Sequence, residues 1–267
     1  MTSRSTMPPI PRPLALVTGA SSGIGFELAR CCAEDGHDLI VVAKENLDAA
    51  VAALRATGAQ VLAVEADLAT SEGVDQALAA LNGRALQVLM ANAGTGRGHG
   101  FLEQDFAVVR HVIDTNITGT LQLIQQVGRG MQARRNGRIL ITGSIAGFMP
   151  GSYNAVYNAS KAFIDSFALA LRDELLDSGV AITCLMPGAT DTAFFERADM
   201  LNTGLAKAPK DSPAFVAQAG YAAMKAGAPG VIPGWQNKLQ VAMACVTPGP
   251  MLAAMHGKLA KPREAQI

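Results

Sequence analysis

Two tyrosines lie four residues apart in GSYNAVYNASK, residues 151–161, and a lysine stands four residues beyond the second. Residues four apart share one face of a helix, so a helix starting near residue 155 aims Tyr157 and Lys161 at the same cleft. Tyr153 falls in the preceding Gly/Pro-rich stretch MPGSYNA and has no lysine at that spacing, which leaves Tyr157 as the candidate proton carrier. A phenol with an ordinary pKa of about 10 is a poor acid at neutral pH. Bringing it toward neutrality takes about 3 pKa units, roughly 4 kcal/mol of preference for the phenolate. One exposed ammonium does not supply that. Two positive charges in a partly desolvated pocket do, because an effective dielectric near 20 gives ~4 kcal/mol per charge at 4 Å. Ser144 ends the apolar run ILITGS upstream, and the C-terminal ends of strands are where open sheets bind ligands. These residue types suit acid–base work on an oxygen atom.

A second stretch, LALVTGASSGIGFELAR, places Gly19, Gly23 and Gly25 between a strand-like run and a helical pattern. One glycine permits a sharp turn out of the strand, one lets the backbone approach a pyrophosphate, and one allows close helix–strand contact. The helix then begins with free N–H groups and a positive dipole end, a ready anion site.

The elements needed to position both stretches follow from hydropathy. Candidate strands are 14–18, 38–43, 60–66, 86–92, 138–143 and 181–187, nearly continuous apolar runs expected to be buried on both faces of a parallel sheet. Helical patterns occupy 24–35, 46–57, 71–82, 105–133 and 157–178. The alternation predicts an α/β fold: a doubly wound parallel sheet of Rossmann type, three layers α/β/α, in a single domain over 14–267. Residues 1–13 read as a flexible N-terminal tail, 189–228 as a substrate lid with a helix near 213–227, and 229–267 as a C-terminal extension. Within the extension, GVIPGWQNK is expected to form a last edge strand with its turn. The Met- and Ala-rich segment 239–260 is expected to pack in a core or interface, with the substrate cleft and a membrane surface as other possible neighbours.

Composition narrows the function. The 267 residues carry 22 basic and 22 acidic side chains, and 49% are hydrophobic. A balanced charge argues against a nucleic-acid partner, which needs a clustered basic surface. Arg134 and Arg135 read as a solvated helix end. Cys31, Cys32, Cys184 and Cys245 form no CxxC pair and are expected to be buried thiols of a reducing compartment. His37, His99, His111 and His256 are scattered, so no metal site is expected. No apolar run reaches the ~18 residues of a membrane span, and the N-terminus lacks a signal-peptide pattern, so the expected location is cytoplasmic.

The glycine spacing G-x-x-x-G-x-G differs from the usual dinucleotide G-x-G-x-x-G. Together with Thr18 before it, it resembles the short-chain dehydrogenase/reductase family, classical type. Asn116 in DTNITG, Ser144, Tyr157 and Lys161 match that family's catalytic set. The resemblance implies that Tyr157 protonates a developing alkoxide during carbonyl reduction while Ser144 hydrogen-bonds the carbonyl oxygen. Lys161 would hold the nicotinamide ribose and lower the tyrosine pKa, and Asn116 would anchor a proton-relaying water. The same resemblance assigns cofactor binding to Gly19, Ser21, Ser22, Gly23, Ile24, Lys44, Asp67, Leu68, Asn92, Ala93, Gly94, Tyr157, Lys161, Pro187, Gly188, Thr190 and Thr192. Asp67 matches the family's adenine-contacting aspartate. ANAG at 91–94 departs from its NNAG turn only at Ala91.

The cofactor type is read at the end of the second strand, VVAKEN. Ala43 stands where the family's NAD users carry aspartate, and Lys44 follows, so NADP (NADPH) is preferred, with NAD possible. The leading reading is an oxidoreductase of the CH–OH donor class, moving hydride between nicotinamide and a carbonyl or secondary-alcohol substrate. Phe194, Phe195, Met200, Leu201, Trp235 and several methionines suggest an apolar cleft. A 3-ketoacyl-carrier reductase is the alternative within the class, with Lys207 and Lys210 as candidates for an acidic carrier. A nucleotide-sensing regulator without turnover is the alternative outside it. By resemblance, a homodimer or homotetramer would pack through the 105–133 and 157–178 helices.

Overall fold

The computed structural model describes residues 12–262, so nearly all of the expected N-terminal tail lies outside the described residues. The first half alternates strand and helix: β1 (Leu14–Thr18), α1 (Gly23–Glu34), β2 (Asp38–Ala43), α2 (Asp48–Arg55), β3 (Val61–Glu65), α3 (Ser71–Ala79) and β4 (Leu86–Ala91). Then follow α4 (Phe106–Ile113), α5 (Thr120–Ala133), β5 (Gly137–Thr142), α6 (Ala155–Glu174) and β6 (Val180–Leu185). Beyond β6 come two one-turn helices, α7 (Phe194–Arg197) and α8 (Gly204–Lys207), and then α9 (Pro213–Lys225), β7 (Gly230–Val231), α10 (Trp235–Val246) and α11 (Gly249–Ala260).

All strands run parallel in the order β3-β2-β1-β4-β5-β6-β7. The winding reverses between β1 and β4, which opens a crevice at the C-terminal ends of those two strands. Period-two alternation divides the core between the two faces. Ala15, Val17, Leu39 and Val41 pack toward Leu28 of α1 and Val216 and Met224 of α9. Leu14, Leu16, Ile40 and Val42 pack in the other cluster, with Leu123 and Val127 of α5 and Ile164 of α6. Each wholly buried leucine contributes roughly 1.5–3 kcal/mol.

Three expectations need correction. First, β3 is not buried on both faces: it is the sheet's edge, and Leu62 is 51% exposed. Second, the 105–133 helix is broken by a π-helical turn at Asp114–Gly119. There Gly119 lies so close to the Leu68 carbonyl that a Cβ would collide with it, and the widened turn buries Asn116. Such wide turns concentrate at functional sites. Third, the last strand is only two residues long. Pro233 and Gly234 (φ +78) end the extended run, and WQNK begins α10 instead of completing a turn. The cysteines also divide: Cys32 and Cys184 are buried, Cys31 is half-buried and Cys245 is exposed. At the end of α5, Arg134 and Arg135 are exposed as expected, and each also donates to a carbonyl, of Leu86 and of Asp177.

Candidate active site

A cleft of about 690 Å³ opens at the C-terminal ends of the central strands. Its floor begins with the turn from β1 into α1. Gly19 and Gly23 have φ of +65 and +59, a region that L side chains rarely adopt. A Cβ on Gly25 would strike the Gly19 carbonyl, so only glycine lets α1 lie this close to the strand end. Ser22 caps α1 without spending its side chain on the helix, and the first turn contains no acid. The N–H groups of that turn and the positive helix end are therefore uncancelled, which is what a pyrophosphate requires. The cradle fits a dinucleotide.

The strand ends are pinned to one another. The Thr18 hydroxyl oxygen accepts from the N–H groups of Asn92 and Ala93, both at 2.9 Å. Asn92 donates to the Thr18 carbonyl at 3.1 Å and accepts from the Thr142 hydroxyl at 3.1 Å. The Asn92 side chain thus ties β1, β4 and β5 together while lining the cleft. At the end of β2, Lys44 pairs with Asp67 at 2.7 Å. Partial burial pushes the Asp67 carboxyl up, but the Lys44 bond, the Ala69 N–H and nearby positive charge outweigh it and hold the group low.

Tyr157 and Lys161 both project into the cleft from the first turns of α6. The Lys161 ammonium lies 5.8 Å from the tyrosine ring centre and donates to the Thr142 carbonyl at 2.8 Å. Ser144 follows β5 and does two things: its hydroxyl accepts from the Ala146 N–H at 3.1 Å, capping a short 3-10 turn, and it also faces the cleft. Burial pushes the Tyr157 phenol up to about 12; a hydrogen bond shared with Ser144 opposes this, and the charge of Asp165 adds to it. Burial lowers Lys161 from its ordinary value, while the same aspartate supports its charge. Burial and the Asp165 charge therefore outweigh Ser144 and hold the phenol protonated. Tyr153 lies outside the cleft, in left-handed backbone at φ +62, close to Gly257 of α11.

Of the expected cofactor residues, Gly19, Ser21, Ser22, Gly23, Ile24, Lys44, Asp67, Leu68, Asn92, Ala93, Gly94, Pro187, Gly188, Thr190 and Thr192 line the same cleft as Ser144, Tyr157 and Lys161. Asn116 does not. It sits behind the wall at 2% exposure, accepting from the Thr95 N–H at 2.8 Å and donating to the Thr95 carbonyl at 2.8 Å and to Ser160 Oγ at 2.9 Å. Both of its N–H donors are committed.

The segment after β6 meets the cleft through its own small core of Phe195, Ala198 and Met200, against which Phe194 packs. The Phe194 ring lies 4.9 Å from that of Tyr157. Arg197 of α7 reaches across to Glu45 at 3.5 Å, and Thr192 contacts the space above Gly23. Among the aromatic and aliphatic residues expected in the cleft, Phe194, Phe195 and Met200 line it, whereas Leu201 and Trp235 do not. Trp235 is 72% exposed, and Met243, Met251 and Met255 also face outward, because α10 and α11 turn only Gln236, Asn237, Gln240, His256 and Leu259 toward the site. Lys210 lines the cleft, its ammonium 5.2 Å from the Phe195 ring centre, while Lys207 lies outside.

Sequence reasoning missed Asp165. It is one further turn along α6 from Lys161, and its carboxylate is buried behind Ser144, whose N–H donates to it at 3.3 Å. The Cys184 thiol lies 3.5 Å away, and the second carboxylate oxygen has no partner. Gly143 and Gly147, on either side of Ser144, lie so close to the two oxygens that a Cβ on either glycine would collide. Burial pushes the carboxyl up to about 6, against the pull of Lys161, the Ser144 N–H and Cys184. The i+4 step from Lys161 was visible in YNASKAFID; that the two flanking glycines seat the serine loop on this carboxylate was not.

Comparison with known proteins agrees with this geometry. A family profile described as short chain dehydrogenase matches residues 13–200. An uncharacterized oxidoreductase of Myxococcus xanthus is 34% identical over 178 residues, 65% of this chain and 70% of that protein. A 3-oxoacyl-[acyl-carrier-protein] reductase of Synechocystis is 34% identical over 185 residues, 67% of this chain and 75% of that one. Among solved structures, a short-chain dehydrogenase from Sphingobium yanoikuyae in complex with NADPH superposes with a TM-score of 0.79 at 29% identity, covering 96% of this chain and 98% of that one. Sheet order, glycine cradle and these matches together place the chain in the short-chain dehydrogenase/reductase family, as an oxidoreductase acting on CH–OH donors.

Proposed function

We propose that this protein is an NADP(H)-dependent carbonyl reductase or secondary-alcohol dehydrogenase in which Tyr157 is the general acid and base. The observation that carries the reading is the convergence of Ser144, Tyr157 and Lys161 on one cleft whose far end is the glycine cradle. When bound there, a nicotinamide dinucleotide supplies the hydride, or accepts it, and in its oxidised form adds a positive charge. The cradle residues Gly19 to Ile24 hold its phosphates, with Asp67, Leu68 and Asn92 to Gly94 along the adenosine side and Pro187, Gly188, Thr190 and Thr192 on the nicotinamide side.

The chain's own residues do the rest. Ser144 and Tyr157 bind the substrate oxygen, and the phenol gives that oxygen its proton in reduction and takes it back in oxidation. A group held near 12 is a ready donor but a weak base, so the oxidative direction needs added positive charge beside it. Lys161 orients the ribose and replenishes the proton. With both side-chain N–H groups spent, Asn116 serves a water relay through an acceptor oxygen. Residues 189–228 act as the substrate lid, with Phe194 closing over the phenol. Lys44 favours the 2′-phosphate of NADP(H), trading its partner Asp67 for a stronger anion; NAD remains an accepted second cofactor.

The NADPH-bound Sphingobium structure supports the cofactor reading. A cytoplasmic homodimer or homotetramer is proposed, packed through α4, α5 and α6, where Phe106, Phe163 and Leu169 are exposed. The likeness to the Synechocystis enzyme and the place of Lys210 at the cleft favour carrier-bound 3-oxoacyl substrates as the second reading. A panel of free ketones, aldehydes and carrier-bound 3-oxoacyl groups, run with NADPH and with NADH and followed by absorbance, tests class, cofactor and substrate together. Turnover of free ketones with NADPH supports the first reading. Turnover of carrier-bound groups alone supports the second. No turnover of any carbonyl leaves a nucleotide-sensing regulator and defeats both.

A further inference from the structure

α10 and α11 are inverted amphipathic helices: polar side chains such as Asn237 and His256 turn toward the cleft, and large apolar ones turn outward. α10 buries only Val241 and Ala244, and α11 only His256 and Ala260. Opposite the buried side of α10, Trp235, Leu239, Met243 and Val246 are 55–77% exposed. At 3.6 residues per turn, those four side chains fall within an arc of about 80°. On α11, Met251, Met255 and Leu259 repeat at every fourth position and are all more than half exposed. Of the seventeen large hydrophobic side chains exposed among the described residues, seven belong to these two helices.

The charge of the segment selects its partner. No acidic residue occurs from Ser212 through Arg263, although 22 acids in 267 residues would place about four in such a stretch. Lys238 flanks the stripe of α10, while Lys258 and Lys261 flank that of α11. All three are exposed, and none pairs with a carboxylate among the described residues. Asp211, the acid that precedes this segment, accepts from the Asn237 side chain at 2.8 Å on the cleft side. A second copy docked symmetrically on this face would bring these lysines together with no carboxylate of α10 or α11 between them. Neither helix is long and apolar enough to cross a membrane. An exposed apolar stripe led by tryptophan and edged by lysines suits the plane of an anionic lipid surface.

We propose that α10 and α11 dock this protein on an anionic bilayer surface, with Trp235, Leu239, Met243, Val246, Met251 and Met255 entering the interface and Lys238, Lys258 and Lys261 facing lipid phosphates. Docking brings the cleft-lining helices to the bilayer. The proposal is independent of which carbonyl is reduced, since binding is read without turnover.

Trp235 is the chain's one tryptophan, so its emission reports this face alone. The full chain is titrated with phosphatidylglycerol/phosphatidylcholine vesicles and with phosphatidylcholine vesicles, following emission and co-sedimentation. The expected result is a blue shift and sedimentation with the anionic vesicles, lost in high salt. Each lysine held at such a surface raises partitioning about fivefold, so Lys238→Gln/Lys258→Gln/Lys261→Gln lowers it by about two orders of magnitude. Leu239→Ser/Met243→Ser lowers it with the charges intact, and far-UV circular dichroism checks that both variants fold. No shift with anionic vesicles, equal binding to neutral ones, indifference to both variants, or a blue shift that grows with protein concentration without lipid each overturns the proposal. The last outcome identifies a second copy as the occupant.

Discussion

Replacing Asp165 by asparagine removes one negative charge from behind the proposed catalytic centre and changes little else in size. The carboxylate accepts from the Ser144 N–H at 3.3 Å, and its charge raises the Tyr157 phenol while Ser144 lowers it. At an effective dielectric near 20 a unit charge about 8 Å away is worth ~2 kcal/mol, or about 1.5 pKa units. Removing a neighbouring negative charge stabilises the phenolate, so the phenol's pKa falls. The assay is the pH dependence of kcat for alcohol oxidation, which rises as Tyr157 loses its proton. In Asp165→Asn the rising limb moves to lower pH by about 1–1.5 units. Asparagine keeps an acceptor for the Ser144 N–H, so a merely structural loss lowers kcat at every pH without moving the limb. A limb that stays in place refutes the electrostatic reasoning. One that moves upward shows that the aspartate acts chiefly by keeping Lys161 charged, since Lys161 is already lowered by burial.

Further outcomes follow from the same geometry. Tyr157→Phe lowers turnover by about 10²-fold or more while cofactor binding, read by fluorescence titration, stays near that of the parent; Tyr153→Phe, outside the cleft, leaves turnover within a few-fold. Lys44→Asp sets a second carboxylate beside Asp67 and lowers the NADPH/NADH ratio of kcat/KM by about 10–100-fold, the worth of one charge-assisted hydrogen bond; an unmoved ratio removes Lys44 from cofactor selection. Asp165 also leaves a mark on stability. Its carboxyl titrates at about 6 in the fold against an ordinary 3.8, so between those values the folded chain holds a proton that the unfolded chain has released. Stability therefore falls through this group as pH rises from about 4 to about 6, and Asp165→Asn flattens that fall in urea unfolding midpoints.

The sequence alone determined the alternation of elements, because buried parallel strands must be apolar throughout and their helices must carry apolar stripes. It also determined the helical face shared by Tyr157 and Lys161, since four residues are one turn whatever surrounds them. The choice of Tyr157 over Tyr153 was legible for the same reason, and the structure places Tyr153 against α11. Tertiary structure decided what depends on distant segments meeting. Asn116 was expected in a regular helix and stands in a π-helical turn, because Gly119 must pass under the Leu68 carbonyl. Trp235 and the late methionines look like pocket residues by composition, yet α10 and α11 turn polar side chains inward and these outward. Asp165 acquires its importance only where two glycines press the Ser144 loop onto its carboxylate. Periodicity along a chain specifies which residues share a face. Only packing between faces fixes what each of them meets, and with it the charge that a buried phenol or carboxylate can hold.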